Sequence, residues 1–183
     1  MGNVLPTADA LLVAAIFSRD LGAIDWAKER LTSEWGAIVL ASPLYDHEET
    51  RFYEKTMGPG LKKCFVAMER LIDPATLPSC KLASNTWEEE GAKLLASGVA
   101  RPVNIDPGYI TEAKLVLATT KDRDHRIYLS QGIFAEVTLH FQAGKWQPRP
   151  WTYPDYQRAD YHEFFSQCRD YLRSQKNRQR SPD

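Results

Sequence analysis

The first part of the chain changes from a continuous apolar run to apolar residues at helical spacing. Residues 10–17 are eight consecutive apolar residues, which is the pattern of a strand covered on both faces. In the next stretch, residues 21–35, the residues that share one helical face are Leu21, Ile24, Ala27, Leu31 and Trp35. Ser18 or Asp20 supplies an N-cap and Gly36 supplies the end. The pattern therefore predicts a strand and then a helix.

The residues that follow predict a strand, a helix and a further strand. Residues 37–45 are an apolar stretch whose pairing would end at Pro43. Residues 61–72 carry apolar side chains at helical spacing, before the helix-breaking pair of Asp73 and Pro74. These side chains are Leu61, Phe65, Met68 and Ile72. Residues 80–89 are predicted to be the next strand.

The second half of the chain is rich in strand patterns. Residues 114–120, 126–129 and 134–141 and a short piece around Trp146 predict an antiparallel meander. Within the third of these strands, alternate positions form a largely polar face, namely Phe134, Glu136, Thr138 and His140. The opposite face is apolar, so one side of this strand is expected to face a core.

The end of the chain predicts a helix over residues 161–175, followed by a frayed basic tail at 176–183. We interpret residues 10–90 as a β-α-β-β-α-β, ferredoxin-like split β-α-β unit. The predicted fold class is therefore α+β, with this unit in the first half, an antiparallel β extension and a C-terminal helix. A single domain is expected over residues 1–183, with its core at about 8–175.

Composition narrows the class of protein. The chain has 23 Lys and Arg residues against 24 Asp and Glu residues, a net charge of −1, which argues against general binding of nucleic acid. Three scattered cysteines are typical of reduced thiols in the cytoplasm. The longest apolar run has eight residues, whereas a membrane span needs about 20, so no membrane association is expected. The first ten residues contain no Lys or Arg, and no secretory signal is expected.

The stretch TTKDRDHRIYLSQGIFAEVTL, residues 119–139, places six ionisable side chains between two predicted strands. One interpretation is a solvated turn. The other is an anion site, in which Lys121, His125 and Arg126 bind a phosphate or a carboxylate. Asp122 or Glu136 would then orient His125 as a general base.

Further candidates come from polar residues that strand or turn chemistry leaves unexplained. Thr120 and Thr138 are polar where strand cores are usually apolar. The sequence NIDPGYI predicts a type II turn at residues 106–108, which explains Asp106 as a turn residue but leaves Asn104 and Tyr109 unexplained.

The aromatic stretch of residues 151–161, which contains Tyr153 and Asp155, predicts either a lid over a pocket or the cover of a sheet edge. Residues 46–49 are Asp, His, Glu and Glu, but their spacing lacks a metal-binding pattern, and no metal site is predicted. No phosphate-binding glycine-rich loop and no nucleophile motif occurs in the sequence.

Four stretches carry a resemblance to a known family, in matching order and spacing: TRFYEKTMG, NIDPGYI, TKDRDHRIYLSQGIFAEVTL and WTYPDY. The chain resembles the prokaryotic family called domain of unknown function 4416, from the first strand to the final helix. The resemblance implies a small cytosolic protein that forms one complete domain. It implies no particular activity, cofactor or catalytic residue.

These patterns together predict one pocket, formed by residues 119–126, the polar face of 134–140 and the Tyr- and Asp-rich stretches. The expected occupant is an anionic small molecule, a nucleotide or a phosphorylated metabolite. One alternative is an enzyme that uses His125 with Asp122 or Glu136 as acid and base. Another is a protein-interaction module, in which residues 151–161 contact a protein partner or a second copy of the chain.

Overall fold

The computed structural model describes residues 2–3, 7–49 and 52–180, and for residues 179 and 180 it describes the backbone alone. Thr50 and Arg51, which belong to the stretch TRFYEKTMG, and residues 181–183 of the predicted tail lie outside the described residues. The helices are α1 (Leu21–Trp35), α2 (Glu54–Met57), α3 (Leu77–Leu94) and α4 (Ala159–Arg180). The strands are β1 (Ala10–Ser18), β2 (Ile38–Ala41), β3 (Tyr45–Asp46), β4 (Lys62–Ile72), β5 (Asn104–Ile110), β6 (Lys114–Thr119), β7 (Ile127–Ser130), β8 (Ile133–Gln142) and β9 (Lys145–Pro148).

The strands form one antiparallel sheet with the order β2-β4-β1-β5-β6-β8-β7, to which β3 is added on β4 and β9 on β8. The α+β class, the large antiparallel sheet and the C-terminal helix are therefore confirmed. Of the described helices, none is long and apolar enough to cross a membrane. All three cysteines are free and buried.

The central strand β1 explains why its sequence is apolar throughout. Its nine residues are all buried because helices cover both faces of the sheet. Leu12, Ala14 and Ile16 pack in the core that α1 and α3 share. The alternate residues of β1 pack instead against α4, and these are Leu11, Val13 and Ala15. Helix α1 has the predicted bounds, and the Asp20 side chain accepts a hydrogen bond from the Gly22 N–H as the cap.

Two predicted elements are wrong in type. Residues 61–72, predicted as a helix, are the long strand β4, in which six consecutive residues from Lys63 to Met68 are buried. A helix at the surface of a sheet would bury only one stripe, whereas a central strand buries every position. Residues 80–89, predicted as a strand, lie within α3, whose first turn contains Pro78. Its buried face contains Lys81, Ser84 and Glu88, and these polar residues concealed the helical period.

Two further predictions are corrected in detail. The predicted strand of residues 37–45 is divided into β2 and β3, because the Ser42 hydroxyl accepts a hydrogen bond from the Phe65 N–H where the ladder is interrupted. The predicted type II turn of residues 106–108 is part of β5. Pro107 fits there because pairing with β6 begins only at Gly108.

Strands β6 to β9 occur where strands were predicted, but β6 pairs with β8 and not with β7. Strands β7 and β9 both pair with the other edge of β8. The loop of residues 120–126 therefore connects two strands that are not neighbours, and it is not a hairpin turn. Helix α4 continues to Arg180, so residues 176–180 of the predicted tail are helical.

Candidate functional site

A cavity of about 630 Å³ opens where β5 and β6 diverge. The two strands pair only through residues 108–110 and 115–117. Beyond this point β5 continues beside β1, and β6 continues beside β8. The cavity lies in the fork between them, with Asn104 and Asp106 of β5 on one side and residues 117–119 of β6 on the other.

Helix α3 takes the place of the missing strand at the fork. The Ile105 N–H donates to Glu88 Oε1 at 2.8 Å, and Lys81 Nζ donates to the Ile105 carbonyl oxygen at 3.2 Å. The backbone groups that β6 would have paired are thus satisfied by two buried side chains. Arg101 forms an ion pair with Glu88 and donates to the Asn104 side-chain oxygen. These contacts explain why α3 has a charged buried face.

The inner wall of the cavity contains two ion pairs. Lys81 Nζ lies 2.8 Å from Asp106 Oδ1, and the Asn104 amide donates to Asp106 Oδ2 at 2.7 Å. Burial opposes ionisation of Asp106, but the charge and hydrogen bond of Lys81 outweigh it, and the pKa of Asp106 is lowered. Lys63 Nζ lies 2.6 Å from Asp155 Oδ2. The four rings that surround the Lys63 ammonium at 4.4 to 5.8 Å are Phe17, Phe65, Tyr156 and Tyr161.

His47 also lines the inner wall, and only 6% of the residue is exposed. Its Nδ1 lies 3.5 Å from Glu49 Oε2 and 3.8 Å from Asp155 Oδ2, and it has no hydrogen-bond partner. Burial and the neighbouring Lys63 charge lower the pKa of His47, so the ring is neutral at pH 7. The ring packs against Phe17, with the two centroids 5.1 Å apart.

The mouth of the cavity is formed by the β6–β7 loop and by exposed aromatic rings. Arg126 Nε lies 2.8 Å from Glu136 Oε2, so this cation already has a carboxylate partner. Lys121 and Arg123 are exposed, and neither forms an ion pair with any residue that the structure describes. Lys121 Nζ lies 4.8 Å from the centroid of the exposed Phe52 ring, and Tyr153 also lines the mouth.

Most of the residues that the sequence suggested as site residues line this cavity. They are Asn104, Asp106, Thr120, Lys121, Arg126, Glu136, Tyr153 and Asp155. Their shared location does not test their roles, which stay predictions.

Four suggested residues lie elsewhere. Tyr109 packs in an apolar cluster with Leu77, and Asp122 is exposed to solvent. Thr138 is buried behind the wall, where its hydroxyl donates to Glu136 Oε1 at 3.2 Å. His125 stacks on the Trp151 ring, and its Nε2 lies 3.4 Å from Glu136 Oε2. Its nearest carboxylate is that of Asp124, at 3.1 Å, and not that of Asp122.

Sequence reasoning missed the side chains that line the cavity from β4, α3 and the segment before β5. These are Lys63, Lys81, Asn85 and Arg101. A signal was present for Lys81, because it is a lone charge between Cys80 and Leu82, and such a lysine is rarely buried without a partner. Lys63 directly follows Lys62, so nothing in the local sequence marks it as buried. No comparable signal marks Asn85 or Arg101.

The acidic segment of residues 46–49 does not converge on one point. Asp46 pairs with the exposed Lys62, whereas Glu49 pairs with Arg158 at 2.8 Å. Across the described ranges, no group of three or more His, Cys, Asp or Glu side chains is placed to hold a metal ion.

Comparison with known proteins identifies a family whose model matches the chain. The model of a family described as "Domain of unknown function (DUF4416)" matches residues 8–171, which is most of the chain. We found no significant match among curated proteins or among solved structures.

Proposed function

Because the chain belongs to the DUF4416 family, whose description assigns no activity, we propose a function from the cavity itself. The cavity binds an anionic small molecule, a nucleotide or a phosphorylated metabolite. The observation that carries the proposal is the pair of unmatched cations, Lys121 and Arg123, at the mouth of a cavity that is otherwise lined by ion pairs.

The charges of the residues that line the cavity favour an anionic ligand. The cations of the lining are Lys63, Lys81, Arg101, Lys121, Arg123 and Arg126, and its carboxylates are Asp106, Glu136 and Asp155. Most of the cations are matched, and Arg101 is matched by Glu88 from behind the wall. The excess positive charge of the lining is therefore carried by Lys121 and Arg123, whose loop also contains the exposed Asp122 and Asp124 outside the lining. A phosphate at the mouth would meet a guanidinium and an ammonium group.

The size and the rings of the cavity fit a ligand of this class. Small-molecule sites usually have volumes of about 300–1,000 Å³, and this cavity has about 630 Å³. Phe52, which lies beside Lys121, and Tyr153, which also lines the mouth, have exposed rings. Aromatic rings of this kind are suited to stack on the flat base of a nucleotide.

A thermal-shift screen against nucleotides and phosphorylated metabolites tests the proposal. A ligand at about 100 times its Kd stabilises the folded state by about 2.7 kcal/mol, which raises the melting temperature measurably. The Lys121→Gln/Arg123→Gln double variant is expected to lose this shift. The matched control is Lys145→Gln/Arg149→Gln, which removes two exposed cations outside the cavity and keeps the shift. No shift with any anion, or an equal shift in both double variants, would contradict the proposal.

The two alternatives stay predictions. An acid–base role of His125 has less support, because His125 does not line the cavity and Glu136 is already paired with Arg126. A protein-interaction role of residues 151–161 has some support from the exposed rings of Trp151 and Tyr153. Trp151, however, is held by a hydrogen bond from its Nε1 to the Val137 carbonyl oxygen at 3.0 Å.

The first half of the fold is also consistent with the ferredoxin-like unit, which we retain as a proposal. In chain order β1, α1, β2, β4, α3 and β5 follow one another, interrupted by β3 and α2. Their strands are neighbours in the order β2-β4-β1-β5, and all are antiparallel. An experimental structure that superposes on a ferredoxin-like protein over these elements would support this classification.

A further inference from the structure

The charges of the cavity are distributed unevenly from its mouth to its inner wall. At the mouth, Lys121 and Arg123 are unmatched among the described residues. On the inner wall, Lys63 is paired with Asp155 and Lys81 with Asp106. A second negative group of the ligand would therefore meet no excess positive charge at the inner wall, whereas a neutral polar group would face no charge penalty there.

His47 is the unsatisfied polar group of this inner wall. The ring is buried, its Nδ1 has no hydrogen-bond partner, and its Nε2 makes no hydrogen bond to any described residue. The charged and titratable groups around it are Lys63 on β4, Asp155 in the turn before α4, Glu49 with its partner Arg158, and Tyr53. A buried imidazole without a hydrogen bond at either nitrogen is uncommon in a folded protein and indicates a role that packing does not supply.

The surroundings of Nδ1 favour one tautomer. The two oxygens nearest to Nδ1 belong to the carboxylates of Glu49 and Asp155, which act only as acceptors when ionised. They favour a proton on Nδ1 and leave the lone pair on Nε2. A neutral imidazole with its proton on Nδ1 accepts a hydrogen bond at Nε2 from a hydroxyl group.

We propose that the inner wall binds the neutral, hydroxyl-bearing end of the anionic ligand, and that His47 accepts a hydrogen bond from one of its hydroxyl groups. This inference rests on the proposed function, and it narrows the ligand to a phosphorylated polyol or sugar, free or as part of a nucleotide. The phosphate lies against the β6–β7 loop, and the hydroxyl groups point to His47.

The inference predicts an unusual combination of effects for the His47→Phe variant. Phe keeps the aromatic contact with Phe17 and removes a buried nitrogen that has no partner. The melting temperature of the unliganded variant is therefore expected to stay the same or to rise. Ligand binding is expected to weaken, because a hydrogen bond to the ligand is lost.

The experiment compares two probes by calorimetry, ribose 5-phosphate and methyl phosphate, which share a phosphate monoester but differ in hydroxyl groups. The wild-type protein is expected to bind ribose 5-phosphate more tightly. In His47→Phe its affinity falls about tenfold, the loss expected for one hydrogen bond, while the affinity for methyl phosphate is unchanged. His140→Phe, which also removes a buried ring nitrogen without a described partner but lies outside the cavity lining, is the control and leaves both affinities unchanged.

Two conservative variants distinguish the roles of Nδ1 and Nε2. They also provide a second test of the hydrogen bond if His47→Phe is poorly folded. Gln places its amide near the position of Nε2, whereas Asn places it near Nδ1. His47→Gln is expected to retain the preference for ribose 5-phosphate, and His47→Asn is expected to lose it.

The outcomes distinguish this inference from the proposed function. If no anion of the thermal-shift screen stabilises the wild-type protein, the proposed function fails and the inference fails with it. If the screen finds a ligand but the wild-type protein binds neither probe, only the inference is overturned. If both bind and depend on Lys121 and Arg123, but His47→Phe leaves the ribose 5-phosphate affinity unchanged or weakens both probes equally, only the inference is overturned.

Discussion

At the scale of single residues, the main feature is a lysine held inside an aromatic cage. Lys63 lies in the middle of a strand, and about 4% of its side chain is exposed. A charged group so far from water needs a close counter-ion, and Asp155 supplies it from a segment 92 residues away. The pair therefore joins β4 to the turn that precedes α4, and it fixes one wall of the cavity.

Removing one member of this pair is expected to be costly. In Asp155→Asn the Lys63 ammonium stays buried without a counter-charge, and we expect the free energy of unfolding to fall by about 3–5 kcal/mol. Urea denaturation measures this change. The control is Asp46→Asn, which breaks the exposed ion pair between Asp46 and Lys62, the residue that precedes Lys63. This variant is expected to lower the free energy of unfolding by about 0–1 kcal/mol. Equal effects of the two variants would show that the buried Lys63–Asp155 pair contributes no more to stability than the exposed Lys62–Asp46 pair.

At the scale of elements, the fork between β5 and β6 depends on how closely the two strands approach where they do pair. Gly108 is the first residue of β5 that pairs with β6. A Cβ atom at this position would lie 2.4 Å from the Val116 carbonyl oxygen and 2.7 Å from Leu117 Cδ2. Glycine is therefore required here by the neighbouring strand, and not by a turn as the sequence suggested.

The Gly108→Ala variant is expected to lower the free energy of unfolding by about 1–3 kcal/mol, because the added methyl group forces the strands apart. Gly2→Ala, at a position with nothing within 4 Å, is the control and should not change stability. Chemical denaturation of both variants provides the measurement. A Gly108→Ala protein as stable as the wild type would mean that the strands tolerate a wider separation than the structure shows.

The elements also show how far the sequence predicts the fold. It predicts β1, α1 and the strands β6 to β9, because each has a clear period or a continuous apolar run, but it takes part of β5 for a turn. It fails for β4 and α3, because contacts with the rest of the fold determine whether these segments are strand or helix. The apolar residues of β4 happen to fit a helical spacing, although both of its faces are covered, and α3 uses Lys81 and Glu88 on its buried face to complete the backbone of β5.

At the scale of the whole molecule, the cavity is assembled from residues that are far apart in the chain. His47, Lys63, Lys81, Lys121 and Asp155 come from five different segments. The sequence predicted the loop and the aromatic stretch, because charge and aromatic clusters are visible locally. It suggested Asn104, Asp106 and Asp155 of the inner wall, but not the lysines that pair with the two carboxylates, nor His47. Lys63 and His47 become notable only through the carboxylates that the fold brings close.

The alkaline pH dependence of stability tests the burial of tyrosines across the whole fold. Burial is the main cause that raises the pKa of Tyr45, Tyr53, Tyr109, Tyr156 and Tyr161. The pKa of Tyr53 is raised to about 12, against an ordinary value of 10.0. In the unfolded chain these phenols lose their protons near pH 10. Their contribution to stability is therefore complete below pH 10 and is lost as the pH rises through the folded-state values.

We accordingly expect the free energy of unfolding to fall between about pH 10 and 12, and the Tyr53→Phe variant to show a shallower fall, because one raised pKa is removed. Ultraviolet absorbance of phenolate during an alkaline titration, with and without urea, measures the ionisation directly. The folded protein should ionise its buried tyrosines at higher pH than the urea-unfolded chain. Coinciding titration curves would mean that solvent reaches all of these tyrosines freely, including Tyr53 in the cavity lining. The cavity would then be too open to discriminate between ligands by burial.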